Sequence, residues 1–115
     1  MTTQELFRKI DANLAVIREH RPLSEAEVRQ LDAYYRVGTT YSSNALEGNS
    51  LTLSETKVLL EDGITVGGKP IRDCYEATGH AKAFDYMLTL ARSEDFRLTE
   101  DTVKQIMELL HSIFR

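Results

Sequence analysis

Three times in its first 55 residues the chain sets a hydroxyl residue three positions ahead of a glutamate: Thr2 and Glu5, Ser24 and Glu27, Thr52 and Glu55. That spacing is a capping box. The hydroxyl accepts from the third backbone N–H of a helix, and the glutamate reaches back to the capping residue's own N–H. Behind the first box, Leu6, Phe7, Ile10, Leu14 and Ile17 fall on one face at helical spacing. Pro22 ends that helix. Behind the second box come Val28, Leu31, Tyr34 and Tyr35, in a helix that extends to Leu46. Behind the third come Val58, Leu59 and Leu60. The expected fold is therefore all-α, a small helical bundle.

Two further helices complete the reading. GITVGGKPI, residues 63–71, reads as a loop or a short extended excursion, with three glycines and a proline. A fourth helix from about Arg72 to Arg92 sets Ala77, Ala81, Phe84, Leu88 and Ala91 on one face. A fifth begins near Thr99 and carries Val103, Ile106, Met107, Leu110, Ile113 and Phe114. Its stripe runs to Arg115 without a stop signal. The expectation is a partner for that face, through self-association or through continuation of the polypeptide.

Composition narrows the function classes. The 115 residues suffice for one small core, either a whole domain or a piece of a larger one. A net charge of −4 argues against nucleic acid or an anionic membrane as partner. No run approaches the roughly 18 apolar residues of a membrane span. Cys74 is the only cysteine, which leaves the cytoplasm as the expected location. Internal repeats, low-complexity runs and linkers are absent.

Taken singly, the chemistry-bearing residues are weak candidates. His20, His80 and His111 lack the spacing of a metal site and read as ordinary surface or core histidines. Cys74 reads as a small core residue. Gly67-Gly68-Lys69 lacks the phosphate-loop pattern and reads as a turn. No serine stands in a nucleophile elbow. The oddity is Glu47, directly before Gly48-Asn49 at a helix stop. A carboxylate there faces the negative end of the helix dipole, at a cost of roughly 0.3–1 kcal/mol. The helix leading to it holds Gly38, Thr39, Thr40, Ser42, Ser43 and Asn44, all poor helix formers, so it needs tertiary contacts. Gly48 suits the left-handed position that closes such a helix.

The stretches NALEGNSLTLSET, LLEDGITVGGKPIRD and EATGHAKAFDYM agree in order and spacing with the front half of Fic-domain proteins. The resemblance covers about residues 38 to 92 and continues plausibly to Arg115. It divides the chain into an N-terminal helical region, 1–37, and an inhibitory helix with the first helices of a Fic fold, 38–115. Within it, Ser43-Asn44-Ala45-Leu46-Glu47-Gly48 resembles the family's inhibitory motif, Ser/Thr-x-x-x-Glu-Gly/Asn. The resemblance implies protein adenylylation, the transfer of AMP from ATP to a hydroxyl of a target protein. It implies that Ser43, Glu47 and Gly48 are regulatory, with Glu47 pairing an arginine that ATP also needs. It implies ATP, and Mg with it, as the needs of the complete enzyme. Asn49 and Thr52 read as turn and cap residues.

The sequence departs from the family in one large respect. The catalytic signature, His-x-Phe-x-Asp/Glu-Gly-Asn-Gly-Arg-x-x-Arg, is absent from these 115 residues. Without its histidine there is no general base, and without its glycine-rich turn there is no phosphate cradle. The expectation is thus a chain with no catalytic residue of its own, whose partner is the remainder of a Fic catalytic core. Two arrangements fit: the front part of a longer adenylyltransferase, or a free-standing, antitoxin-like helical protein that inhibits a separate Fic protein. The target protein is not legible.

Overall fold

The computed structural model describes residues 1–111, and among these it contains five helices and no strand. The expected stripe at Ile113 and Phe114 lies outside the described residues. The helices are α1 (Thr3–Glu19), α2 (Glu25–Leu46), α3 (Leu53–Asp62), α4 (Ile71–Ala91) and α5 (Glu100–His111). Contacts divide the chain into two units, Met1–Leu31 and Asp32–Arg115.

The first unit holds α1 and the start of α2. Thr2 and Glu5 form the reciprocal box expected of them, at 3.2 and 2.9 Å. Ser24 and Glu27 do the same, at 3.0 and 3.1 Å. Phe7, Ile10 and Ile17 all lie on the expected face of α1 and are exposed.

The second unit carries the core. Thr52 and Glu55 cap α3 reciprocally, and Gly63 closes that helix in the left-handed region at φ 67°. Leu51 and Leu59 pack against Cys74 and Ala77, with Val66 of the loop at the edge of the cluster. A leucine buried in this way contributes about 1.5–3 kcal/mol. Helix α4 is the spine of the unit, with α3 on one flank and α5 on another. Its small residues make the second contact possible. A Cβ on Gly79 would stand 3.2 Å from the backbone oxygens of both Leu109 and Leu110. Ala77, Ala81 and Ala83 flank it, all buried. Tyr86 adds a hydroxyl hydrogen bond to Gln105 of α5.

The later half of α2 is helical despite its composition, and its tertiary contacts account for this. Val37 and Thr40 are buried, and Arg36 and Thr40 each bond to a side chain of α4. No helix of the described chain is long and apolar enough to cross a membrane.

Candidate functional site

Helix α2 ends at Leu46, so Glu47 stands one residue beyond it, exposed on the closing turn. That turn is closed by backbone hydrogen bonds. The Glu47 and Gly48 N–H groups donate to Asn44 and Ala45 at 3.0 and 3.1 Å, and Asn49 N–H also donates to Asn44. Gly48 has φ 93°, a conformation open to glycine at little cost and strained for other residues. The motif's glycine thus has a backbone reason, as expected.

The residues after Gly48 bind this turn to the start of α4. The Asn49 amide donates to the Asp73 carbonyl at 2.9 Å, while its own side-chain oxygen accepts from Leu51 N–H. The Asp73 carboxylate accepts from both the hydroxyl and the N–H of Ser50. Those two bonds, the hydroxyl first, hold the Asp73 carboxyl below its ordinary range. Lys69 donates to the Ser50 carbonyl at 2.8 Å and pairs with Glu55 at 3.3 Å. Asn49 and Thr52 are the turn and cap residues expected, and Lys69 is tied into the turn through Ser50 and Glu55.

Ser43, Asn44 and Glu47 face an open cleft of about 340 Å³, together with Arg72, Glu76 and His80 of α4. Arg72 pairs with Glu76 at 3.4 Å one helical turn along. Asn44 places a buried side-chain N–H₂ there with no hydrogen-bond partner among the described residues. Among the described residues the Glu47 carboxylate makes no salt bridge. His80 is half-buried, which pushes its imidazole below the ordinary 6.5, and its Nδ1 shares a 3.0 Å hydrogen bond with Thr40 Oγ1. The structure therefore brings two of the three motif residues, Ser43 and Glu47, to one cleft, while Gly48 closes the turn and does not line it. It adds Asn44, Arg72, Glu76 and His80, none of which was legible as a site residue. Their sequence signal was only the one-turn spacing of 72, 76 and 80 on a helix.

Among the described residues no three His, Cys, Asp or Glu side chains converge as a metal would require.

No protein-family model matches the chain. Individual relatives do. It is 32% identical over 106 residues, 92% of its length, to the protein adenylyltransferase Fic of Drosophila pseudoobscura pseudoobscura. It is 33% identical over 107 residues to that of Aedes aegypti, again 92% of its length. A crystal structure of a Fic-domain-containing signaling protein from Bacteroides thetaiotaomicron superposes with a TM-score of 0.74 at 27% identity, over 81% of this chain and 35% of that one. The chain belongs to the Fic-domain proteins. As a Fic-domain chain it spans about a fifth of the length of those two curated relatives, 19% and 20%. The all-α reading is thereby matched by a solved Fic-domain structure as well as by the helices themselves.

Proposed function

We propose that this chain is the regulatory front part of a Fic-type protein adenylyltransferase and that Glu47 restrains AMP transfer. The chain would supply no catalytic group. It would present a carboxylate to an arginine of the catalytic core, which ATP needs for its γ-phosphate. A carboxylate and a phosphate compete for one guanidinium fork, because both offer paired oxygens at the spacing of two N–H donors. The partner is the rest of a Fic core, on the same polypeptide or on another, and the substrates are ATP and a target hydroxyl.

The observation that carries this reading is the state of Glu47. It is exposed, makes no salt bridge among the described residues, and stands on a turn fixed by Gly48, Asn49 and Ser50. A carboxylate carried on a bonded turn at the unfavourable end of a helix is accounted for when a cation from elsewhere meets it.

The test compares labelled-AMP incorporation, including self-modification, by a protein that joins this chain to a Fic catalytic motif. Glu47→Gly is expected to raise incorporation well over tenfold, where tenfold corresponds to about 1.4 kcal/mol. Glu47→Asp should release only part of the restraint, since the charge remains with a shorter reach. Equal incorporation by wild type and Glu47→Gly at equal folded concentration would refute the reading.

A further inference from the structure

Helix α2 meets α4 through a ladder of long polar side chains. Asp32 receives both terminal nitrogens of Arg92, at 2.7 and 2.8 Å. One turn along α2, Arg36 grips both carboxylate oxygens of Asp85, at 2.9 and 3.1 Å. One turn further, Thr40 shares its hydrogen bond with His80. Positions 32, 36 and 40 form one stripe of α2, and their partners run in the opposite direction, from Arg92 just past the end of α4 to positions 85 and 80 within it. Beside the ladder runs an apolar groove of about 480 Å³, lined by Tyr35, Thr39, Phe84, Met87 and Leu88 among others. The close backbone approaches of α4 are to α5 and α3, so α2 is held at side-chain length.

The order of charges makes the ladder read its own register. Reading along α2, an acid meets a base and then a base meets an acid. A slip of one turn would set Asp32 against Asp85 or Arg36 against Arg92, either way a like-charge pair. The same slip would carry Glu47 about 5.4 Å along the helix axis. That exceeds the tolerance of a carboxylate–guanidinium hydrogen bond, which weakens steeply beyond about 3.2 Å. Both ion pairs are bidentate, the geometry in which partly exposed pairs carry orientation as well as energy.

We propose that the ladder Asp32–Arg92, Arg36–Asp85 and Thr40–His80 is a register lock that sets where α2 presents Glu47. Asp32 and Arg36 are then positioning residues for the restraint, acting through Glu47 from about four and about three turns away. This rests on the reading of Glu47 given above.

The experiment uses a protein joining this chain to a Fic catalytic motif and measures AMP incorporation. Arg36→Asp, which sets two carboxylates face to face, is expected to raise incorporation roughly threefold to tenfold. Arg36→Asp combined with Asp85→Arg restores an opposed pair and should return it to within about twofold of wild type. In a Glu47→Gly background, Arg36→Asp should add nothing, because there is no carboxylate left to misplace. Asp32→Asn, a milder change at the other bidentate pair, guards against a variant that fails to fold and should raise incorporation in the same sense. If Glu47→Gly itself has no effect, the reading of Glu47 fails and the lock falls with it. If Glu47→Gly activates but neither Arg36→Asp nor Asp32→Asn does, or if Arg36→Asp activates equally without Glu47, the lock alone is overturned.

Discussion

Thr40→Val isolates the contact that holds the most helix-averse part of α2. Thr40 is 0% exposed, and its hydroxyl shares a 3.0 Å hydrogen bond with His80 Nδ1. Valine keeps the β-branched shape and nearly the same helix propensity, so the substitution removes a hydroxyl and little else. The lost hydrogen bond costs about 1 kcal/mol net, and an imidazole nitrogen left half-buried without a partner costs roughly 1 kcal/mol more. Burying a methyl in place of the hydroxyl returns up to about 0.8 kcal/mol. The balance is a destabilisation of about 1–1.5 kcal/mol. With a urea slope near 1–1.5 kcal/mol/M, the unfolding midpoint should fall by roughly 1 M at an unchanged slope. A cycle with His80→Gln assigns the effect, since the two changes should couple by about 1 kcal/mol if they remove one interaction. Thr40→Val as stable as wild type, with coupling under about 0.3 kcal/mol, would show that this hydrogen bond does not hold α2.

Further outcomes follow from neighbouring contacts. Gly79→Val should destabilise by more than about 2 kcal/mol in the same urea assay, because even a Cβ would meet two α5 carbonyls at 3.2 Å; a neutral result would mean that α5 yields freely. Burial lowers the His80 pKa, so the unfolded chain takes up its proton first. The His80 contribution to stability is complete above pH 6.5 and is lost as pH falls through the folded value; His80→Gln should remove that part of the acid sensitivity from the unfolding profile. Asp73, Glu55 and Asp32 are held below their ordinary 3.8, 4.5 and 3.8, mainly by hydrogen bonds from Ser50, Thr52 and Arg92. Their contribution is present above those values and lost as pH falls below them, a second and more acidic step that Asp73→Asn should shrink. The chain by itself should transfer no AMP from labelled ATP to any protein, since it lacks the signature histidine and phosphate-binding turn; stoichiometric labelling by the pure chain would contradict this.

Sequence by itself determined what depends on neighbours along the chain. Capping boxes at Thr2, Ser24 and Thr52 are closed by residues three positions away, and each formed as read. The left-handed turn at Gly48 was legible for the same reason, because only local backbone sterics decide it. The motif around Glu47 was legible as a pattern, along with the poor helix formers that precede it. What those residues needed was not legible. That Thr40 is buried against His80, that Arg36 and Asp32 reach residues 49 and 60 positions away, and that Asn49 and Ser50 clasp Asp73 were decided by tertiary structure. Charged and hydroxyl side chains on a helix look alike in sequence whether they face water or a partner. Only the packing of α2 beside α4 selects which of them meet.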